Sequence, residues 1–213
     1  IMCPTEDTHD YLIKNKIFNK KKIYVLNDPI LEISKFNILI KEKLENNLEK
    51  KKYILNIGRF VEQKNQIFLI KAFKKILEID KNFFLVILGD GELEKKLKSL
   101  TMKLNIDKNI LFLGHVQNVF KYLKHAKYFV LTSKWEDPGF VLLEAAFSKT
   151  LIISSDCPNG PREILNNGCG GFIFESNNLD DFLRIFKQAE MTNEEKKNKK
   201  KKEVLKKSMN YTK

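Results

Sequence analysis

Short apolar runs alternate along the chain with longer stretches in which apolar positions recur every three or four residues. The runs at 53 to 57, 83 to 88, 110 to 113, 127 to 132, 151 to 154 and 172 to 174 read as strands. Helical patterns follow them at 66 to 79, 92 to 104, 117 to 125, 140 to 148, 161 to 166 and 179 to 190. Strict alternation of strand and helix predicts right-handed crossovers and an α/β fold: a Rossmann-like parallel sheet with helices on both faces. Ligands of such sheets sit beyond the carboxyl ends of the strands. Gly58-Arg59, Gly89-Asp90-Gly91, Gly114-His115, Glu136 and the stretch from Cys157 to Gly160 all follow strands, so they converge on one edge.

Two of these loops carry chemistry. Glu136 lies in the turn between the strand ending at Thr132 and a helix opening at Phe140, and Glu144 follows about one turn inside that helix. Pro138 disfavours helix at Asp137, and Gly139 lets the backbone approach a ligand closely. The free amides of the helix start, backed by the positive end of its dipole, attract a diphosphate. A carboxylate at position 144, tilted back toward the helix start, accepts two hydrogen bonds from a vicinal diol such as a ribose. The second loop places Arg59 and Lys64 between a strand and a helix, a planar fork and a point charge of the kinds that hold phosphate oxygens. Taken alone, carboxylates at this spacing also suit a solvated loop and an exposed helix face.

In order, Gly58-Arg59 with Lys64, Gly89-Asp90-Gly91-Glu92, Phe112-Leu113-Gly114, Glu136 with Glu144, and Gly160-Pro161-Arg162-Glu163 resemble the nucleotide-binding half of the large retaining glycosyltransferase family of two-Rossmann-domain (GT-B) architecture, commonly called family 4. The resemblance covers roughly residues 23 to 190. It implies that Gly58, Arg59 and Lys64 hold the donor diphosphate, that Glu136 approaches the donor sugar as the catalytic carboxylate, and that Glu144 binds the nucleotide ribose. The backbone of Gly139, Phe140 and Val141 would face phosphate and sugar, and His115-Val116 would lie by the base. No metal and no separate cofactor are implied. The loop after the first Glu departs from the usual Gly-Phe-Gly by reading Asp137-Pro138-Gly139-Phe140, which leaves the position of its first amide open. The run Ser155 to Leu165 looks like members that build bacterial surface polysaccharides and lipid-linked glycans, favouring a UDP-linked hexose or N-acetylhexosamine.

On this resemblance, residues 1–35 are expected to be the remnant of a first, acceptor-side domain and a linker. They read as a short helix from Asp7 to Asn15, a strand from Ile23 to Leu26, and a turn at Asn27-Asp28-Pro29. Residues 36–190 form the nucleotide-sugar-binding domain, and 191–213 a Lys-rich helix or tail. A chain of 213 residues carries one substantial core and is short for two. The first-domain His that faces the sugar in this family has no match; His9 sits in a solvated, acidic neighbourhood. Trp135 and Phe60 read as packing residues beside the two turns. Glu163 reads as a dipole-complementing residue at a helix start, and His115 equally as a structural loop residue. The glycines from Gly168 to Gly171 resemble a dinucleotide fingerprint only superficially.

Three cysteines, an odd number without metal-ligand spacing, suit a reduced, cytoplasmic chain. The apolar run 83 to 88 is too short to span a bilayer. A formal charge of +12 is concentrated in Lys196, Lys197, Lys199 to Lys202, Lys206 and Lys207. That run reads first as a solvated or disordered face, second as attraction to acidic lipid heads at an inner membrane face, and last as nucleic-acid binding, since only Tyr211 offers a stacking ring. The activity implied is sugar transfer from a nucleotide diphosphate to a glycan or lipid-linked acceptor. A sugar-nucleotide epimerase of the same architecture would need catalytic acids that the sequence does not show, and a non-catalytic nucleotide-sugar-binding module is the alternative from another class.

Overall fold

A computed structural model of the chain describes residues 1–17, 23–45 and 47–212. The chain begins with β1 (Met2–Cys3), α1 (Glu6–Lys14) and β2 (Tyr24–Val25), and β1 and β2 pair as a separate two-stranded parallel sheet. After α2 (Ile33–Leu39) come β3 (Lys52–Ile57), α3 (Gln66–Ile79), β4 (Phe83–Leu88), α4 (Glu94–Lys103), β5 (Ile110–Phe112) and α5 (Phe120–His125). The chain then runs through β6 (Tyr128–Leu131), α6 (Phe140–Phe147), β7 (Ile152–Asp156), α7 (Pro161–Ile164), β8 (Phe172–Glu175), α8 (Leu179–Met191) and α9 (Glu194–Ser208).

Strands β3 to β8 form one six-stranded, all-parallel sheet in the order β5-β4-β3-β6-β7-β8. The strand-helix alternation read from the sequence is therefore present. Along the strands, side chains divide by period two between two cores. Ile54, Leu85, Ile87, Val130 and Ile153 face the layer of α3, α4 and α8, with Phe73, Leu97 and Phe182. Tyr53, Leu55, Val86, Phe129 and Ile152 face the other layer, with Leu123, Leu143 and Val204 from α5, α6 and α9.

Two predicted helices are shorter than their patterns. The pattern at 117 to 125 yields helix only from Phe120, because the Asn118 side chain accepts from the Phe120 amide at 3.0 Å and donates to the Leu39 carbonyl at 2.8 Å. The pattern at 161 to 166 stops at Ile164, and Asn166 and Asn167 take left-handed conformations. The Lys run also differs from a solvated tail. Asn193 caps α9 by accepting from the Lys196 amide, and the helix lies against α6, with Val204 and Ser208 fully buried. Helix α6 is apolar on nearly every side and needs cover on two faces. The sheet supplies one and α9 the other.

Candidate active site

Counted from β3, the strand order is 3-2-1-4-5-6, and its reversal falls between β3 and β6. A crevice opens beyond the carboxyl ends of strands at such a point. The loop after β3 carries Gly58, Arg59 and Lys64, and the loop after β6 carries Glu136 and Gly139. The topology thus brings the two chemical loops side by side.

The first loop is fixed by its backbone. Phe60 donates its amide to the Asp90 carbonyl at 2.6 Å and accepts from the Leu93 amide at 3.0 Å. The buried Gln66 side chain donates to the Arg59 carbonyl at 3.0 Å. Gly89 and Gly91 adopt positive φ, and a Cβ at Gly89 would lie 2.1 Å from the Gly58 carbonyl oxygen. The Phe60 ring packs edge-on against Phe112, as its packing role required. Gly58 admits the Lys64 stem, whose Cγ would stand 3.2 Å from any Cβ there. The result is a clamped turn with the Arg59 side chain in solvent.

The two loops are sewn together. Thr132 donates its hydroxyl to the Lys64 carbonyl at 3.0 Å, and the Lys134 amide donates to the Gln63 carbonyl at 2.8 Å. The Lys64 ammonium donates to both oxygens of Glu136, at 2.7 and 2.8 Å, and the Ser133 hydroxyl donates to Oε1 at 2.5 Å. Glu136 is 3 % exposed, so this is a buried carboxylate fully engaged by one cation and one hydroxyl. Its own amide donates to the Pro158 carbonyl at 3.0 Å. The Asp137-Pro138 peptide is cis, and Gly139 takes φ +88° at the start of α6. No described side chain caps that start; the Leu142 amide donates to the Gly139 carbonyl at 2.9 Å, which leaves the Phe140 and Val141 amides without an acceptor among the described residues.

Glu144 behaves oppositely to Glu136. It is half-buried in α6, its carboxylate has no hydrogen-bond partner among the described residues, and burial pushes its pKa up to about 7. It lines a cleft of about 400 Å³ together with Ile57, Gly58, Arg59, His115 and Val116. A second depression of about 270 Å³ adjoins on its other side, toward Leu31 and Phe36. Gly139 caps α6, and Phe140 and Val141 open it; neither these three residues nor Lys64 and Glu136 line the cleft, although the Lys64 stem packs against Gly58, which does.

Other readings change. Trp135 is less packed than expected: the residue is 48 % exposed, and its carbonyl accepts from Gln63 Nε2 at 2.9 Å. His9 is less solvated than its neighbours imply, with a side chain 15 % exposed and Nδ1 3.0 Å from Asp10 Oδ1. Glu163 serves a different helix: its Oε2 accepts from the Glu6 amide in the first turn of α1 at 3.0 Å, and Asp7 accepts from the Gly160 amide at 3.2 Å. Arg162 forks onto Asp156 instead of facing the cleft. Ser133, Thr132 and Gln66, which hold the site residues in place, were missed by sequence reasoning. Only Ser133, three residues before Glu136, had a local signal.

The sequence matches the family described as glycosyl transferases group 1 over residues 39–207. The chain belongs to that family. It is 42 % identical over 163 residues to an uncharacterized glycosyltransferase of Methanocaldococcus jannaschii, covering 75 % of this chain and 38 % of the relative. It is 31 % identical over 193 residues to an Escherichia coli UDP-Gal:α-D-GlcNAc-diphosphoundecaprenol α-1,3-galactosyltransferase, covering 86 % of this chain and 49 % of that enzyme. Among solved structures, Anabaena HepE in complex with UDP and glucose superposes with a TM-score of 0.82 at 14 % identity, covering 99 % of this chain and 59 % of that one. The fold is therefore that of the GT-B glycosyltransferases, and the chain spans less than half the length of the curated relatives it matches.

Proposed function

We propose that this chain is the donor-binding part of a retaining glycosyltransferase that moves a hexose or N-acetylhexosamine from a UDP-sugar to a glycan or lipid-linked acceptor. The observation that carries this reading is Glu144: a carboxylate without a partner, desolvated in a cleft at the sheet's switch point, with Arg59 on the same cleft. A half-buried carboxylate without a partner is partly desolvated, and a ribose diol supplies two donors to it. Arg59 then takes the diphosphate, with the open amides at Gly139, Phe140 and Val141 on its other side. Val116, with His115, borders the base.

Lys64 reaches this diphosphate without leaving Glu136. An ammonium has three donors, and two of them are used on the carboxylate, so one remains for a phosphate oxygen. Lys64 thereby links leaving-group charge to the carboxylate assigned to the sugar, and Ser133 keeps that carboxylate aimed. Cations and helix amides supply the charge stabilisation that a divalent ion gives elsewhere, so no metal is required. Residues 1–35 belong to the acceptor-side wall. In support, the open-edged sheet of β1 and β2 exposes Met2, Tyr24 and Leu26, which a larger sheet would cover. The protein works in the cytoplasm, at the inner face of a membrane that presents the acceptor.

Calorimetric titration of UDP, GDP and ADP in the presence of a chelator tests the reading. UDP is expected to bind most tightly with the chelator present. Binding that vanishes with the chelator, or a preference for ADP or GDP, would overturn the metal-free or the uridine assignment respectively.

A further inference from the structure

Helices α1 and α7 exchange carboxylates at their starts. Glu163, in the first turn of α7, accepts from the Glu6 amide of α1 at 3.0 Å, and Asp7, in the first turn of α1, accepts from the Gly160 amide just ahead of α7 at 3.2 Å. Each carboxylate thus meets an amide that has no acceptor within its own helix, at the end where the helix dipole favours negative charge. Among the described residues these are the hydrogen bonds that join α1 to the chain beyond β2, and β1 and β2 pair with no strand of the large sheet. A side-chain cap for α1 does not require them. Thr5 already accepts from the Thr8 amide at 3.1 Å.

Gly160 touches the donor turn as well as Asp7. Its φ is +110°, and a Cβ on it would stand 1.9 Å from the Pro138 carbonyl oxygen and 3.0 Å from the Pro138 Cα. Two residues earlier, the Pro158 carbonyl accepts from the Glu136 amide at 3.0 Å. The short segment 158–160 therefore bears both on Asp7 and on the turn that carries Glu136 and Pro138. Pro138 leads directly into Gly139, the cap of α6, so a shift of Gly160 reaches the Phe140 and Val141 amides through backbone atoms alone. Backbone in contact this close passes a displacement on, because a close-packed interior has few voids to absorb it.

We propose that Asp7 and Glu163 are positioning residues for the donor turn: they hold Gly160 against Pro138 and so fix where Glu136 and the start of α6 stand. Asp7 acts on Gly160 directly, and Glu163 keeps the first turn of α1, and with it Asp7, in reach. The segment assigned above to the acceptor side thereby shares a contact with the donor turn, so the seating of α1 and the binding of donor favour each other. The expected effect on UDP rests on the donor reading above; the link from Asp7 to Pro138 does not.

The test is amide hydrogen exchange of the full chain, followed residue by residue by NMR, in D7A/E163A and in D7N/E163Q, whose side-chain amides keep an acceptor oxygen at each place. In D7A/E163A the Glu136 and Leu142 amides, bonded to the Pro158 and Gly139 carbonyls, should exchange roughly tenfold faster, the scale of one charge-assisted hydrogen bond, while the β4 amides keep the parent rate. UDP, titrated by calorimetry, should bind several-fold more weakly to the same variant. D7N/E163Q should restore most of both. Faster exchange in α1 with Glu136 and Leu142 at parent rates would show that the carboxylates serve α1 alone and would overturn the proposal. Should D7A/E163A speed exchange in β4 too, D7A by itself makes the same comparison with Glu163 still on α1. A parent chain that binds no UDP would strike the donor reading, and the exchange rates would still decide the coupling.

Discussion

The Lys64 ammonium spans both oxygens of Glu136, at 2.7 and 2.8 Å, although 72 residues separate the two in sequence. Both side chains are largely withdrawn from solvent. Removing one partner leaves a desolvated charge, whereas removing both charges does not. Lys64→Met should therefore destabilise the fold by about 3 kcal/mol. Lys64→Met with Glu136→Gln should recover most of that loss while still failing to bind the diphosphate normally. Urea denaturation of the three proteins checks this, and equal stability of the single and double variants would show that the pair is not coupled.

Glu144 predicts a pH dependence of opposite sign to that of a paired carboxylate. Its ordinary pKa of 4.5 rises to about 7 in the fold. Below pH 4.5 folded and unfolded chains both carry the proton, so the site costs nothing. As pH rises through the window between these values the unfolded chain releases its proton and the folded chain keeps it. Stability falls across that window and levels off above 7, at a cost on the order of 3 kcal/mol. Glu144→Gln should accordingly raise the melting temperature at pH 8, change it little at pH 4.5, and abolish most of the further rise that UDP gives the unaltered protein. A variant no more stable than the parent at pH 8 would mean that the carboxylate is not desolvated as described.

Arg59 separates binding from folding, because its side chain is exposed while its backbone does the clamping. Arg59→Ala should leave the unfolding midpoint unchanged and weaken UDP by about 1.5 to 3 kcal/mol, the scale of charge-assisted hydrogen bonds. Glu136→Gln should instead leave UDP affinity nearly intact and lower turnover of the full-length enzyme. Titrations that give the same UDP loss for both variants would merge the two roles.

Gly160 predicts an effect carried through backbone alone. At φ +110°, a Cβ there would lie 1.9 Å from the Pro138 carbonyl oxygen, so Gly160→Ala must push back the turn that precedes Gly139. UDP binding should fall together with stability. Gly168→Ala, also at positive φ but with only Ile173 Cδ1 at 4.0 Å, should cost stability alone. Comparing UDP affinities of the two variants distinguishes displacement of the site from backbone strain.

The sheet was legible because its strands are buried on both faces and read as continuous apolar runs, as in Phe83 to Leu88. The cleft was legible where a motif places a charged side chain just beyond a strand or inside the following helix, as at Arg59 and Glu144, which share one cleft. Pairings across sequence left no local trace. Nothing around Glu136 indicates that Lys64 would engage both of its oxygens, and nothing around Glu163 indicates that its carboxylate would receive the Glu6 amide from 157 residues away. The Lys-rich stretch read as a helix or tail with a solvated face, and it is a helix with many exposed lysines, but its packing against α6 left no local trace. Its composition is that of a solvated segment, and its structural weight rests on few residues, chiefly Val204 and Ser208 with Tyr211 just beyond the helix.

The bridge between Leu31 and Thr212 brings two distant points of the backbone together. The Leu31 amide also donates to the Tyr211 carbonyl at 3.3 Å, so the path from 31 to 212 closes on itself like a loop of rope tied at the neck. A unit whose incoming and outgoing strands touch can be grafted into a surface turn of an unrelated host without prying that turn apart. The same knot means that a cut within 192–212 would loosen the incoming strand as well as the outgoing one.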